Sequence, residues 1–190
     1  MSGDDRRKMI ATSAIPLFLR YGNTLSTRQL ADELGIAEGT IFRAFGDKRT
    51  LLHAVVETYY NQARNQLAAI DFDGHLTLEN RLREVITQAR HSAQGAFTML
   101  SLLDHDDACT LVRRQYSTAV TDAIAQVFAG DGDQLNLPPE RVALLIRMLA
   151  VAASAPHHHG EGALSDDELV NFALHGFIGK QPQALAGGSQ

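Results

Sequence analysis

The sequence predicts an all-α protein with an N-terminal helix-turn-helix domain and a longer C-terminal helical domain. Apolar residues recur at helical spacing along most of the 190 residues, and no useful stretch alternates as a strand would. Two short amphipathic segments, separated by a glycine, follow the first helix as they do in a helix-turn-helix. The segment 71–75, DFDGH, then interrupts the periodicity and separates the two domains.

The first two helices have clear start and stop signals. Apolar positions 10, 14, 17, 18 and 21 form one face of a helix predicted from about Asp5 to Tyr21, and Gly22 is a typical stop residue. The second helix is predicted over 27–34, because Ser26 and Gln29 form a capping box immediately before it.

The third and fourth helices follow a tight turn at Gly35. The third is predicted over 37–45, and Asp47 can cap a fourth whose apolar residues continue through Tyr59. We expect this fourth helix to reach about Ile70 as a connector. Residues 1–56 would then form the N-terminal domain.

The C-terminal domain, residues 71–180, is predicted to contain five further helices. Periodicity places them at 78–89, 96–103, 107–129 and 140–155, with a last helix starting at Ser165, which forms a capping box with Glu168. The helix over 140–155 is apolar almost all round, which predicts burial on both of its sides. Residues 181–190 are expected to form a loose tail.

Composition restricts the class of protein. The formal charge is −5, yet residues 1–60 carry eight Lys and Arg against seven acids, so only this part is a candidate site for a polyanion. The single cysteine, Cys109, excludes an internal disulfide and cysteine-based zinc modules. No apolar run approaches the roughly 20 residues that span a bilayer. We therefore expect a cytoplasmic protein without a membrane partner.

The third helix has the features of a DNA-reading helix. It is short enough to lie in a major groove, and Gly39 has no side chain to hold the backbone away from the duplex. Lys48, in the first turn of the next helix, can meet a phosphate. Glu38 is either a solvated first-turn acid or a reader of a cytosine amino group. The residues expected to be exposed on this helix are Glu38, Gly39, Thr40, Phe42 and Arg43.

At these residues the sequence resembles the TetR/AcrR family of bacterial transcriptional regulators. The resemblance covers about residues 8–56 and rests on Ser26, Ala31, Gly35, Thr40-Ile41-Phe42, Phe45, Lys48 and Leu51-Leu52. It implies that the positions contacting DNA in family members are here Thr27, Arg28, Thr40, Phe42 and Lys48.

Two positions depart from the family pattern. Phe42 replaces the usual Tyr, whose hydroxyl bonds a phosphate, and the loss of such a bond would remove about 0.5–1.5 kcal/mol. Ala37 stands where Ser or Thr often caps the recognition helix. Phe42 is therefore expected either to contact DNA without that hydrogen bond or only to pack.

The family resemblance also implies a two-fold dimer and a small-molecule site in the C-terminal domain. The last two long helices form the dimer bundle in family members, and the residues expected at this interface are Leu145, Met148, Leu149, Ala152, Leu169, Phe172 and Ala173. The residues expected to line an effector pocket are Phe97, Met99, Leu100, Leu103, Tyr116 and Val120.

Other clusters give no comparable signal for chemistry. The consecutive His157, His158 and His159 cannot all face one ion on a regular helix, and His105 and Cys109 lack an identifiable third partner. We therefore expect no metal, no cofactor and no catalytic residues.

The sequence as a whole predicts a homodimeric repressor rather than an enzyme. It would bind a palindromic operator in double-stranded DNA and be released by an unknown small-molecule effector. The alternative is an effector-independent helix-turn-helix protein that acts as a constitutive or architectural DNA binder.

Overall fold

The computed structural model describes residues 2–70, 74–115, 119–154 and 164–177. Every regular element in these residues is helical, which confirms the predicted fold class. None of the described helices combines the length and the apolar character that a transmembrane span requires. The helices are α1 (Gly3–Tyr21), α2 (Thr27–Leu34), α3 (Glu38–Phe45), α4 (Lys48–Ala68), α5 (Leu78–Leu100), α6 (His105–Gln115), α7 (Ala119–Val127), α8 (Pro139–Ala153) and α9 (Asp166–Phe177), with a 3-10 turn at Gly22–Thr24.

Side-chain caps start several of the helices where the sequence predicts them. The Ser26–Gln29 capping box is present at α2, the Asp47 carboxylate accepts from the backbone N–H of Thr50 at α4, and the Ser165–Glu168 pair starts α9. A further capping box at Ser2 begins α1 two residues before the predicted start. These local bonds satisfy backbone donors that a helix start would otherwise leave without partners.

One continuous helix, α5, replaces the two helices predicted over 78–89 and 96–103. A Cβ at Gly95 would lie 2.2 Å from the hydroxyl oxygen of Tyr59, so the glycine makes room for that ring on α4. The Tyr59 hydroxyl in turn donates to the carbonyl of Ser92 at 2.6 Å. Glycine disfavours a helix locally by about 1 kcal/mol, and packing between α4 and α5 offsets that preference here.

Two other sequence predictions are covered only in part. The helix predicted over 107–129 corresponds to α6 and α7, and residues 116–118 between them lie outside the described residues. The helix predicted to end at residue 155 is described as α8 to Ala153, and the predicted tail, 181–190, lies outside the described residues.

The buried apolar residues form two clusters, and α4 contributes to both. The N-terminal core joins α1–α3 and the first half of α4 to side chains from the end of α5 and from α6. Its fully buried members include Ile10, Phe18, Leu30, Ile41, Leu51, Val55 and Met99. The C-terminal core joins the end of α4 to α5 and α7–α9, and includes Leu67, Leu82, Val85, Ile124, Phe128, Val142, Ile146 and Val170.

A buried ion pair fastens the turn after α7 to α5. Asp131 is only 4% exposed, and one of its carboxylate oxygens accepts from Arg81 at 2.6 Å and from the Gln134 amide at 3.3 Å. Arg81 also donates to the carbonyl of Val127 at 3.5 Å. The guanidinium therefore pairs with a buried carboxylate and also bonds the carboxyl end of α7.

Candidate nucleic-acid interface

The turn between α2 and α3 fixes the position of the third helix. Gly35 adopts a left-handed φ of 65° and donates its N–H to the carbonyl of Asp32, while Ile36 donates to that of Ala31. Ala31 is fully buried, as are Leu30 and Ile41 on the facing sides of the two helices. The inner face of α3 is thus held by the core, and its outer face stays on the protein surface.

The outer face of α3 carries side chains that the protein's own packing does not require. Phe42 is 43% exposed, Arg43 is exposed, and Thr40 is half-buried. A Cβ at Gly39 would meet no atom within 4 Å, so no neighbouring residue demands glycine there. Close approach of a ligand to the backbone is a different reason for a glycine, and a DNA duplex provides such an approach.

The start of α3 is joined to the start of α2 by one side-chain bond. Thr27 Oγ1 donates to Glu38 Oε1 at 2.6 Å, and both side chains are half-buried. Arg28, the next residue of α2, is exposed. Ala37, the residue before α3, provides no side-chain hydrogen bond to the backbone N–H groups of the first turn.

Lys48 lies at the first position of α4 and closes the same surface. Its ammonium donates to the carbonyl of Leu25 at 3.0 Å, and this contact uses one of its three N–H donors. The hydrogen bond from the backbone of Thr50 holds the pKa of the adjacent Asp47 carboxyl below its usual value. Lys48 thus follows directly after the Asp47 carboxylate that caps the start of α4.

The sequence leaves two roles open for the N-terminal basic residues, a contact with a neighbouring phosphate or groove and a solvated terminus. The guanidinium of Arg7 lies 5.4 Å from the centre of the Phe45 ring, at the last residue of α3. The only sequence signal was the run Arg6-Arg7-Lys8, which reads equally well as a solvated terminus. The structure places at least one of these cations beside the helix-turn-helix.

A charged cluster connects α4 to α6. The carboxylate of Asp107 is 2.6 Å from both Arg49 Nη2 and His53 Nε2, and Asp104 lies 3.3 Å from Arg49. The hydrogen bond to His53, and then that to Arg49, lowers the pKa of Asp107; the contacts with Asp107 raise the pKa of Arg49. Sequence reasoning missed this cluster because nothing local pairs residues 54 positions apart.

A small, mostly apolar cavity lies between α4, α5, α7 and α8. The lining residues that carry polar side-chain atoms are Tyr59, Tyr60, Ser92 and Arg147. The Arg147 guanidinium also donates to Thr121 at 2.8 Å. The cavity volume available to water is about 50 Å³, which is room for a few water molecules. The lining consists of Tyr59, Tyr60, Ala63, Leu67, Ala89, Ser92, Ala93, Ala96, Val120, Arg147, Ala150 and Val151.

The residues expected to line an effector pocket lie in three different places. Val120 lines the cavity. Met99 is buried in the N-terminal core, and Leu100 and Leu103 pack against that core. Phe97 is half-buried on α5, and Tyr116 lies outside the described residues.

Tyr59 should titrate later than an ordinary tyrosine. Burial raises its pKa from the usual value of 10.0 to about 12. Because the folded pKa is the higher one, the contribution of the neutral phenol to stability is fully present below about pH 10. That contribution is lost as the pH rises through the folded value, so the free energy of unfolding should fall between these two pKa values.

Two measurements check this titration. Phenolate absorbance should show a tyrosine that ionises near pH 12, and Tyr59→Phe should remove that phase. The difference in unfolding free energy between wild type and Tyr59→Phe should shrink over the same range, which isolates Tyr59 from the other groups that titrate there. A single absorbance phase centred near the ordinary tyrosine pKa would contradict the prediction.

The expected dimer residues divide into an exposed and a buried set. Met148 and Phe172 are 58% and 56% exposed, and Ala152 is exposed with them. Leu145 and Leu149 are half-buried. Leu169 and Ala173 lie inside the C-terminal core. The exposed and half-buried members of this set, which we call the α8–α9 face, are Leu145, Met148, Leu149, Ala152 and Phe172.

The remaining histidine and cysteine candidates form no larger cluster in the part of the chain that the structure describes. Cys109 Sγ lies 3.7 Å from His105 Nε2 on the exposed side of α6. Within the described ranges, no three His, Cys, Asp or Glu side chains are grouped to hold a metal ion. His157, His158 and His159 lie outside the described residues.

Comparison with known proteins identifies relatives of this domain and of the whole fold. Residues 10–55 match the family described as bacterial regulatory proteins, tetR family. No curated protein matches the chain.

Several solved structures share the fold. A bacterial regulatory protein in the tetR family from Rhodococcus RHA1 is 22% identical over 92% of this chain and 96% of its own, with a TM-score of 0.54. A transcriptional regulator of the TetR/AcrR family from Thermobifida fusca is 23% identical over 90% and 98%, with a TM-score of 0.61. A TetR-family structure from Mesorhizobium loti is 16% identical over 94% and 99%, with a TM-score of 0.66.

Proposed function

We propose that this chain, which belongs to the TetR family of bacterial transcriptional regulators, is a cytoplasmic repressor that binds a palindromic operator as a homodimer and is released by a small-molecule effector. The observation that carries the proposal is the outer face of α3, which the core holds in place while Thr40, Phe42 and Arg43 stay accessible beside Lys48. No catalytic role is proposed.

The roles of the DNA-binding residues follow from their chemistry. Thr40 and Arg43 are proposed to contact base edges or phosphates in the major groove, because a hydroxyl and a guanidinium suit both. Phe42 can add only apolar contact, for example with a thymine methyl group. Lys48 and Arg28 are proposed to bind phosphates and therefore to supply affinity without sequence preference.

The α8–α9 face is proposed as the dimer interface. Met148 and Phe172 are exposed in a single chain, and a second copy would cover them. A two-fold dimer presents two recognition helices to half-sites about 34–36 Å apart, or slightly more. A palindromic operator follows from that symmetry.

The cavity is proposed as the effector site because it shares helix α4 with the DNA-binding domain. The cavity lies against residues from Tyr59 to Leu67 of α4, and the same helix begins with Lys48. An effector that favours one orientation of α4 would shift the population away from the spacing that fits DNA. The contacts of Arg49 and His53 with Asp107 connect that helix to α6.

The size of the cavity supports one alternative function. With about 50 Å³ open, the cavity holds only a very small ligand unless it expands. A regulator that binds DNA without any effector would keep this cavity closed. Compounds that raise the melting temperature should therefore be titrated into the protein–DNA complex, since unchanged DNA affinity for all of them would favour the effector-independent binder.

Selection of bound sequences from a random DNA pool tests the central proposal, together with Lys48→Ala. The wild type should enrich a palindrome. Lys48→Ala should weaken binding to every sequence by a similar factor. It should also reduce the magnitude of the slope of log affinity against log salt by about 1.8, because each subunit of the proposed homodimer loses one phosphate contact. Arg83→Met removes a cation of α5 whose side chain is 43% exposed, outside both the helix-turn-helix and the α8–α9 face, and serves as the control, which should leave the slope unchanged.

A random pool that shows no enriched sequence would count against sequence-specific DNA binding. A salt slope that is the same for wild type and Lys48→Ala would count against the phosphate contact of Lys48.

A further inference from the structure

The carboxylate of Glu38 is held at the start of the recognition helix by a residue from another helix. Thr27 at the first position of α2 donates its only hydroxyl proton to Glu38 Oε1 at 2.6 Å. Both side chains are half-buried, and Glu38 is the only acid in the first turn of α3. The bond spans 11 positions of sequence and fixes the carboxylate relative to both helices of the motif.

With this bond in place, the Glu38 carboxylate can still accept further hydrogen bonds, whereas the Thr27 hydroxyl has no proton left to donate to another group. A carboxylate has about four lone-pair sites, so Glu38 keeps acceptor capacity after bonding Thr27. The Thr27 hydroxyl has no second proton for a phosphate oxygen. Its role in the free protein is therefore to position Glu38.

A carboxylate at this place discriminates among bases. The base-edge donors in the major groove are the amino groups of cytosine and adenine, and adenine places the acceptor N7 beside its amino group. That acceptor repels a carboxylate, whereas cytosine has no such atom beside its amino group. Phosphates also repel the negative charge, so Glu38 weakens binding wherever it finds no donor.

We infer that Glu38, positioned by Thr27, selects a cytosine at one position in each half of the operator. The inference rests on the proposed function, since it assigns a base preference to the same DNA-binding surface. Glu38 is the residue that contacts the base, and Thr27 is a positioning residue.

Sequence selection with three variants tests this inference. The wild type should prefer cytosine at one position of each half-site by about fivefold or more. Glu38→Gln should change that preference to adenine, because an amide can bond both N6 and N7 of adenine, and it should leave the other positions unchanged. Thr27→Val should keep cytosine with weaker discrimination, and Thr27→Ser should restore it.

The outcomes separate this inference from the proposed function. If Glu38→Gln selects the same bases as wild type at every position, the inference is wrong while DNA recognition by α3 stands. If Thr27→Val weakens all sequences equally with unchanged preferences, Thr27 contacts a phosphate and does not position Glu38. If the wild type enriches no sequence, the proposed function fails and this inference fails with it. A lower melting temperature alone, with unchanged preferences, would show that Glu38 only stabilises the start of α3.

Discussion

Replacing Phe172 with aspartate is expected to separate the proposed dimer into monomers and to lower affinity for the proposed palindromic operator by at least about 100-fold. Phe172 is 56% exposed and Met148 is 58% exposed, and both belong to the α8–α9 face. In a two-fold interface the substitution places two carboxylates in an apolar contact, where each would be buried without a partner. Loss of the second subunit also removes the gain from binding both half-sites of one operator.

Sedimentation and DNA titration at one protein concentration measure both effects. The control is Leu76→Asp, which adds the same charge at an exposed leucine that lies near the end of α4 instead of on the α8–α9 face. This control should stay dimeric and bind the operator as wild type does. A Phe172→Asp protein that stays dimeric would show that the subunits meet elsewhere.

Replacing Arg81 with methionine is expected to lower the free energy of unfolding by about 3–5 kcal/mol, because it leaves the buried carboxylate of Asp131 without its cation. Methionine keeps much of the apolar stem, so the loss reports mainly on the charge. The side chain of Arg81 is 17% exposed and that of Asp131 only 5%, so water can replace little of the lost interaction.

The matched control for Arg81 is two residues further along α5. Arg83→Met removes an arginine that pairs with Asp167 and Glu79 at the surface, where its side chain is 43% exposed. Exposed pairs contribute little, so this variant should lose less than about 1 kcal/mol. Urea unfolding at one fixed protein concentration compares the two, since a dimer's stability depends on concentration. Equal losses would contradict a special role for the buried pair.

The N-terminal helices could be predicted closely because their signals are local. Capping pairs such as Ser26–Gln29 act within four residues, and a left-handed glycine such as Gly35 ends a helix wherever it occurs. Exposure of Phe42 and Arg43 follows from the same periodicity, since the buried positions of α3 define the opposite face. Their contacts with DNA remain predictions.

The features that depend on packing between distant helices could not be predicted. Apolar periodicity predicts two helices over 78–89 and 96–103, whereas α5 continues through Gly95, where Tyr59 of α4 packs. The contacts of Arg49 and His53 with Asp107 join residues that nothing local relates. The same reason applies to the cavity, because periodicity shows which side of a helix is apolar and does not show where neighbouring helices leave space.

The sharing of α5 between the two cores has a consequence for how the chain unfolds. Ala96 lines the cavity and also belongs to the N-terminal core, which Met99 and Leu102 complete. The helix-turn-helix therefore lacks part of its apolar covering when α5 is removed, and a fragment ending at residue 70 would expose it. We expect the whole chain to melt in one cooperative transition. A compound that binds at the cavity of the native protein should then slow the exchange of amide hydrogens in α1 and α2 as well.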